Sequence, residues 1–239
     1  MKKMLDIEGQ ERVLIIAAHP DDEVLGCGGT IARMVSEGSS VHVLMMADGE
    51  TSRSFEPEQR EIEVDRIEAR NASAEKACKI LGCSSVDVLG LSDNRLDGLE
   101  LLDLVKNIET FVQRYRPSKV FTHHAGDVNI DHQVVHNAVI SACRPQPDFS
   151  VKELLFFEVP SATEWRPPSS DNQFNPNWFV DISLTLEVKL EALRAYETEL
   201  RKFPHPRSLN AVKALAQWRG VTVGVEAAEA FVLGRMIVK

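Results

Sequence analysis

Cysteine and aromatic residues are both scarce in this chain of 239 residues, of which four are cysteine and 6% are aromatic. The cysteines stand at positions 27, 78, 83 and 143, without a Cys-x-x-Cys pair and without regular disulfide spacing. This pattern argues against a disulfide framework and is typical of reduced, buried thiols in a cytoplasmic protein. With 44% hydrophobic residues, a chain of this length can bury a core without disulfide support.

Runs of basic residues are also absent. The chain has 27 Lys and Arg against 36 Asp and Glu, which gives a formal net charge of −9. Because an acidic surface repels the phosphate backbone of nucleic acids, we expect no nucleic-acid partner. A single phosphate on a small substrate stays compatible with this composition, since one local arginine is enough to bind it.

Long hydrophobic runs are missing as well. The aliphatic run at residues 13–18 is far too short to cross a bilayer. The first ten residues, MKKMLDIEGQ, begin with lysines but continue with Asp and Glu rather than an apolar segment, so they do not predict a signal peptide. We therefore expect a cytoplasmic protein that does not insert into membranes.

What the sequence does contain is an alternation of short apolar runs and helical segments. This order predicts an α/β fold with a mostly parallel sheet, helices on both faces, and a small C-terminal strand and helix extension. No repeat or linker divides the chain, so we predict a single domain over residues 1–239. Strands are predicted at residues 13–18, 41–47, 86–89, 119–122, 154–159 and 178–182. Helices are predicted at residues 24–37, 57–81, 99–115, 132–143 and 184–201, with two further helical stretches after Pro204-His205-Pro206.

The first group of polar residues follows the first predicted strand, as His19-Pro20-Asp21-Asp22-Glu23. In open parallel sheets, ligand-binding residues gather at the carboxyl ends of the strands. An imidazole and three carboxylates this close compete unless they share a cation, and zinc accepts both ligand types. His19 and Asp22 can point at one metal, which leaves Asp21 beside a water on that metal as a general base. The alternative is a helix N-terminal cap cluster, the role that we favour for Glu23.

The same five residues, preceded by two alanines and followed by Leu25-Gly26-Cys27-Gly28-Gly29, resemble the signature of the LmbE-like, or PIG-L, family. The resemblance implies a Rossmann-like fold and zinc-dependent deacetylation of N-acetylglucosamine-containing substrates, with one zinc ion per subunit. It also implies that His19 and Asp22 are zinc ligands, that Asp21 is the catalytic base, and that the protein forms a homo-oligomer.

A second polar segment, residues 122–132, follows the fourth predicted strand. It is similar to the family's second motif, in which the His of an Asp-His pair completes the zinc site, and this match implies His132 as the third ligand. Some members carry a His three positions before that ligand, where this chain has Asn129. An asparagine can donate a hydrogen bond to the oxyanion but cannot carry a proton to the leaving amine. Asp131 is expected to orient an imidazole.

The general acid and the nearby histidines stay open in the sequence. Asp21, once it has taken a proton, can also deliver it to the amine. His123 and His124 are further candidates, although we expect a structural role for at least one of them. His136, one helical turn after the third ligand, is expected to support a ligand or to be a buried helix residue.

Substrate contacts are implied at three further positions. The resemblance implies that Asp93 and Arg70 contact the sugar, since a carboxylate accepts from hydroxyls and an arginine donates to hydroxyls or a phosphate. A solvated helix residue is the alternative for Arg70. His205, in a rigid Pro-His-Pro segment, is assigned either to a substrate contact or to the surface. The loop at residues 160–177 is expected to face the substrate as a lid.

Together these features predict a hydrolase that releases acetate and a free amine from a small N-acetylated sugar. The alternatives are a related amidase acting on a thiol conjugate, a phosphoesterase with two metals, a non-catalytic relative and a nucleotide-binding Rossmann protein. The last of these needs glycines at G-x-G-x-x-G spacing, but position 31 is Ile31. Whether the sugar is free, nucleotide-linked or conjugated stays open.

Overall fold

A computed structural model of the protein describes residues 11–53, 60–167, 169 and 172–238. The strands in this part of the chain are β1 (Arg12–Ala17), β2 (Ser40–Ala47), β3 (Ser85–Leu91), β4 (Lys119–His123), β5 (Glu153–Phe157), β6 (Trp178–Asp181) and β7 (Ala228–Met236). They form one sheet in the order β3-β2-β1-β4-β5-β7-β6. Strands β1 to β5 pair in parallel, whereas β7 is antiparallel to both β5 and β6. The predicted mostly parallel α/β fold is confirmed.

Helices cover both faces of this sheet. They are α1 (Asp22–Ser36), α2 (Arg60–Leu81), α3 (Leu101–Tyr115), α4 (Ile130–Ala142), α5 (Leu186–Arg194) and α6 (Leu209–Val221). Val13 and Ile15 of β1 pack in a core with α1, α2, α5 and α6, while Leu14 and Ile16 pack with α3 and α4. Successive side chains of a strand point to opposite faces, so an uninterrupted apolar run is what a strand buried on both sides requires.

The C-terminal region differs from the sequence prediction. Two helical stretches are predicted there, but the structure has helix α6 followed by strand β7. Residues such as Ala228, Glu229 and Ala230 favour a helix locally, yet β7 pairs with a strand on each side and buries Phe231. Pairing along both edges overrides the weak local preference. Helix α5 is also shorter than the predicted residues 184–201, because the chain turns at residues 195–199.

Two predictions concern residues outside the described part of the chain. The N-terminal segment of residues 1–10 is one of them, and the start of the second predicted helix, at residues 57–59, is the other. Among the helices that the structure describes, none combines the length and the apolar character needed to span a bilayer.

The glycine-rich segment after the first motif lies inside helix α1, where it permits close packing. A Cβ on Gly26 would overlap the Phe157 ring, and one on Gly29 would lie 2.8 Å from the Ile182 side chain. The helix departs from helical geometry at Cys27, with φ −148° and ψ 23°. The segment therefore brings α1 close to the sheet and to the start of α5, and it is not a free phosphate-binding loop.

A buried ion pair supports the backbone at this break in α1. Glu229 accepts hydrogen bonds from the Gly29 and Thr30 N–H groups at 3.0 and 2.7 Å, and it is paired with the buried ammonium group of Lys189. The same ammonium group donates to the Leu25 carbonyl at 2.8 Å. Backbone N–H and C=O groups at the break are thus hydrogen-bonded to side chains, as buried polar groups require. Strand β7 and helix α5 in this way hold the helix that carries the first motif.

Candidate active site and metal centre

The two polar segments of the sequence meet at the carboxyl edge of the sheet. Since β2, β1 and β4 are parallel neighbours, the residues that follow them lie side by side. An open cavity of about 180 Å³ is found there. Five residues predicted for the site line it: His19, Asp21, Arg70, Asp93 and Asn129. The topology rule for parallel sheets therefore places the chemistry where the sequence predicts it.

The three predicted metal ligands lie together in the interior of the site. His19, Asp22 and His132 each offer a ligand atom, and these atoms lie within 4.8 Å of one another. Asp22 Oδ2 is 3.3 Å from His19 Nδ1 and 3.2 Å from His132 Nε2. Asp22 Oδ1 and both ring nitrogens of His132 are buried and make no hydrogen bond within the described residues, although carboxylate oxygens of Asp22 and Asp127 lie 3.2 and 3.0 Å from the two nitrogens. Buried polar atoms without a partner are costly, and a shared cation would satisfy them.

Each of the two imidazoles has a carboxylate on the nitrogen that faces away from Asp22. His19 Nε2 lies 3.0 Å from Asp131 Oδ2 and 2.9 Å from Asp93 Oδ1. His132 Nδ1 lies 3.0 Å from Asp127 Oδ2. Carboxylates in this position fix the orientation and the tautomer of a metal-binding histidine. The structure thus places Asp131 where it can orient His19, which is the role expected from the sequence.

The orienting carboxylates are themselves held by hydrogen bonds. Asp131 accepts the Asn94 N–H at 2.7 Å, and Asp127 accepts the Asn129 N–H at 2.8 Å and the Thr163 hydroxyl at 2.9 Å. Asp127 is absent from the residues predicted for the site. The sequence shows only that Asp127 lies in the same short segment as His132. The tertiary structure shows that His132 is the histidine next to its carboxylate.

The carboxylates around His19 and His132 favour the protonated, positively charged form of both imidazoles. Burial lowers the pKa of His19, but hydrogen bonds with Asp131 and Asp22 more than offset it and raise the pKa well above its usual value. Burial also opposes protonation of His132, yet Asp22 and Asp127 raise its pKa to about 9. Against the effect of its own burial, Asp22 is held by His132 and His19 at a pKa well below its usual range. A site that attracts protons this strongly also fits a metal cation, which displaces them.

The other histidines of this region support the strand end. His123 Nε2 accepts the Ala18 N–H at 2.8 Å, so this nitrogen has no lone pair for a metal, and burial holds the pKa of His123 well below its usual value. His136 Nδ1 donates to the His123 carbonyl at 2.8 Å, and His124 Nε2 donates to the Asn172 carbonyl at 3.2 Å. All three bind backbone groups, which lie just after β1, at the end of β4 and in the loop before β6 respectively.

Asp21 lines the cavity together with His19 and directly precedes the candidate ligand Asp22. It precedes α1 with φ 119°, a left-handed conformation that costs a non-glycine residue about 1–3 kcal/mol and is concentrated at functional sites. Its side chain makes no capping hydrogen bond to α1, so the N-terminal cap alternative does not describe it. Its Oδ2 instead accepts from Arg207 Nη1 at 3.0 Å. Burial raises the pKa of Asp21, and Arg207 acts in the opposite direction.

Glu23 holds the backbone at Asp21. The Glu23 carboxyl group accepts the Asp21 N–H at 3.0 Å and the Tyr196 hydroxyl at 2.6 Å. Burial raises the pKa of Glu23 to about 8. Its contact with a backbone N–H at the start of the helix resembles the capping role expected from the sequence, and it fixes the unusual conformation that turns Asp21 towards the cavity.

Arginines and one glutamate form the wall of the cavity opposite the metal group. Glu199 Oε1 lies 3.1 Å from Arg70 Nη1, both oxygens of Glu199 accept from Arg53 Nη2 at 2.9 Å, and Glu199 Oε2 lies 3.6 Å from Arg207 Nη1. Arg70 is only 4% exposed, so the alternative of a solvated helix residue is wrong. Glu199 and Arg207 are absent from the predicted site residues, because their signal is a contact across the fold and not a local motif.

The remaining predicted residues differ in their position. Asn129 caps α4, since its Oδ1 accepts the Asp131 N–H at 2.8 Å, while its Nδ2 donates to Asn94 Oδ1 at 3.1 Å. His205 does not line the cavity. Its Nδ1 accepts the Arg207 N–H at 3.0 Å, which places it behind the arginine that contacts the candidate base.

The described part of the loop at residues 160–177 packs onto the site. The Ser161 hydroxyl accepts a hydrogen bond from Arg207 Nε at 2.7 Å. The Asn172 backbone lies so close to Gly126 that a side chain there would collide with it. Together with the Thr163 contact, these interactions make the loop a wall that holds two residues of the site in position.

Comparisons with known proteins agree with this geometry. Residues 14–143 match the PIG-L family, described as GlcNAc-PI de-N-acetylase. The uncharacterized deacetylase YaiS of Escherichia coli is 30% identical over 191 residues, which cover 78% of this chain and 90% of that protein. The diacetylchitobiose deacetylase of Thermococcus kodakarensis is 30% identical over 203 residues, which cover 79% of this chain and 70% of that protein.

Solved structures show the same likeness. The conserved protein TT1542 from Thermus thermophilus superposes with a TM-score of 0.74 at 28% identity, covering 95% of this chain and 96% of that one. The matched family region contains both polar segments, and the structural likeness extends beyond it over nearly the whole chain. The resemblance inferred from the two motifs is confirmed, and the chain belongs to the PIG-L family.

Proposed function

We propose that the protein hydrolyses the amide bond of an N-acetylglucosamine-like sugar and releases acetate and a free amine. The observation that carries this proposal is the convergence of His19, Asp22 and His132 at the edge of an open cavity that His19 and the Asp21 carboxylate both line. Two relatives at 30% identity are described as deacetylases, and one of these is named for diacetylchitobiose. Both facts favour amino-sugar deacetylation over the amidase alternative.

The donor set fits one zinc ion. Two imidazoles and one carboxylate are a common ligand set of catalytic zinc, and three buried atoms of this set make no hydrogen bond within the described residues. His19, Asp22 and His132 would hold the ion. Bound there, zinc would polarise the amide carbonyl and lower the pKa of a water molecule to about 7.

Asp21 carries out both proton transfers of the reaction. Its carboxylate takes the proton of the attacking water and, once protonated, delivers it to the leaving nitrogen. Burial raises the pKa of Asp21, which helps it to hold that proton, while Arg207 at 3.0 Å keeps the ionised form accessible and fixes the side chain. The amide nitrogen of Asn129 lies at the cavity and offers a hydrogen bond to the oxyanion.

The sugar hydroxyls are bound from two sides of the cavity, by Asp93 next to His19 and by Arg70 in the wall of arginines. Asp93 and Arg70 line the cavity, where a carboxylate accepts from hydroxyls and a guanidinium group donates to them. Glu199 holds Arg70 in place from the far side. The nucleotide-binding alternative is not favoured, because the glycines it requires are packed inside α1.

The direct test is acetate release from a panel of N-acetylated sugars and thiol conjugates, measured with zinc-loaded and chelator-treated protein. We expect acetate from N-acetylglucosamine derivatives, loss of release after chelation, and recovery after zinc is added back. Equal release by the chelated protein would contradict the role of the metal. Release only from non-sugar amides would contradict the substrate class.

The Asp127→Asn variant is expected to bind zinc about 10–100-fold more weakly, because its side chain no longer offers a charged acceptor to His132 Nδ1. Asparagine keeps the shape of the side chain and an oxygen for the Thr163 hydroxyl. Competition with a chromophoric chelator measures the affinity. The exposed Asp148→Asn variant, with the same change in charge, is the control, and equal affinities in the two variants would remove Asp127 from the site.

The cellular setting is also proposed. All four cysteines are free thiols in the structure, and three of them are buried, which fits the predicted cytoplasmic location. The homo-oligomeric state and the single domain over residues 1–239 stay predictions. Gel filtration with light scattering measures the oligomeric state directly.

A further inference from the structure

A large aromatic ring lies exposed beside the catalytic cavity without a role in the steps described above. Trp165, in the loop after β5, is 53% exposed. Its indole ring meets the His205 imidazole edge-on, with ring centroids 5.9 Å apart and an angle of 81° between the planes. Exposed tryptophan is an amphipathic surface that pairs an apolar face with a hydrogen-bonding edge, and such rings are common at binding sites.

Contacts connect this aromatic pair to the catalytic residues. His205 Nδ1 accepts the Arg207 N–H at 3.0 Å, and Arg207 Nη1 lies 3.0 Å from Asp21 Oδ2. Arg207 is part of the cavity wall, whereas neither Trp165 nor His205 lines the cavity. The aromatic pair therefore lies outside the cavity lining, next to the backbone of Arg207.

The loop holds the tryptophan in place without a ligand. Four residues before it, the Ser161 hydroxyl accepts from Arg207 Nε at 2.7 Å, and the Ser161 N–H donates to the Glu164 carboxylate at 2.7 Å. Thr163 binds the Asp127 carboxylate at 2.9 Å. A ring that is already positioned loses little conformational entropy on binding, which makes it an efficient contact.

The size of the cavity indicates what the ring would bind. Its volume of about 180 Å³ is below the ~300–1,000 Å³ typical of pockets that enclose a whole ligand. A cavity of this size suits one sugar ring with its acetamide group, so any group attached to that ring lies outside. A second pyranose has an apolar C–H face and a polar rim, which match the face of Trp165 and the imidazole beside it.

We propose that Trp165 and His205 form a second sugar subsite, which binds the ring attached to the N-acetylglucosamine unit that is deacetylated in the cavity. This proposal rests on the proposed function and makes an N-acetylated disaccharide a better substrate than the monosaccharide. It also assigns His205 to the attached sugar and not to the ring that reacts. The subsite and the reaction are tested separately, by binding and by turnover.

The experiment compares wild-type protein with the Trp165→Ala and Trp165→Phe variants. Acetate release is measured with N-acetylglucosamine and with N,N′-diacetylchitobiose. Binding is measured by calorimetry with glucosamine and its β-1,4 disaccharide, which carry no acetyl group and are not consumed. Trp218→Ala is the matched control, because Trp218 is also exposed, at 63%, but lies on α6.

Trp165→Ala is expected to lower kcat/KM for the disaccharide about tenfold, mainly through KM, and to weaken disaccharide binding by a similar factor. Values for the monosaccharide should stay within about twofold, Trp165→Phe should recover most of the loss, and Trp218→Ala should match wild type. Equal effects on both sugars, no effect on either, or no disaccharide preference in the wild type would overturn the subsite. A binding difference without acetate release would retain the subsite and refute deacetylation.

Discussion

The Asp21→Asn variant is expected to release acetate about 10²–10⁴-fold more slowly than the wild type while keeping its zinc. The amide cannot take the proton of the attacking water, so the variant loses proton transfer in both directions. Asp21 is not in the group of three residues whose ligand atoms lie within 4.8 Å of one another, so metal content should not change. Steady-state acetate release and zinc analysis of the same preparations measure both quantities.

Two controls separate chemistry from folding in that experiment. Asp148→Asn makes the same substitution at an exposed position and should behave as wild type. Circular dichroism checks that the variant keeps its secondary structure, since the change is made at a left-handed backbone position that Glu23 and Tyr196 support. A well-folded, zinc-loaded variant with wild-type turnover would mean that another group carries the proton.

The His132→Ala variant is expected to lose both zinc and activity. His132 belongs with His19 and Asp22 to one of two buried groups of three potential ligands, the other being His19, Asp93 and Asp131. Without His132 the first group keeps two protein ligands, which are too few for a stable catalytic zinc site. Its removal also leaves Asp22 and Asp127 buried without the imidazole between them. Zinc content should fall from about one ion per chain to near zero, with acetate release at the level of the chelated wild type.

A neighbouring histidine provides the comparison for this variant. His136 lies one turn further along α4, and its Nδ1 donates to the His123 carbonyl instead of facing Asp22. His136→Ala therefore removes a buried imidazole from the same helix but should keep its zinc. If His132→Ala retained a full complement of zinc in a folded protein, the third ligand would have to be sought elsewhere.

The residues proposed to hold the metal could be picked out in the sequence because they lie in short local segments. His19, Asp21 and Asp22 follow one buried strand, and His132 follows another. The alternation of strands and helices predicts parallel neighbours, and parallel neighbours bring their carboxyl ends to one edge. The local pattern and this topological rule predicted that the two segments meet, and the family resemblance selected His132 among the histidines of the second segment.

Local patterns could not identify the charged residues that contact Asp21 and form the cavity wall. Arg207 contacts Asp21 across 186 positions of sequence, and it reaches that place from a loop after α5. Glu199 gathers three arginines from separate segments, one of them in α2. None of these side chains stands in a motif that marks its partner, since the partner is chosen by how the helices pack.

The C-terminal strand β7 is a further feature that depends on tertiary structure and not on local sequence. By itself, the sequence of this protein predicted a mostly parallel α/β core and the candidate ligand and base residues at its edge, because burial periodicity and motif spacing are local properties. Only the tertiary structure decided that β7 is a strand, that Asp127 faces His132, and that the loop carrying Trp165 is a wall. Pairing and packing with distant residues outweigh local propensity at those places, and no local pattern encodes such contacts.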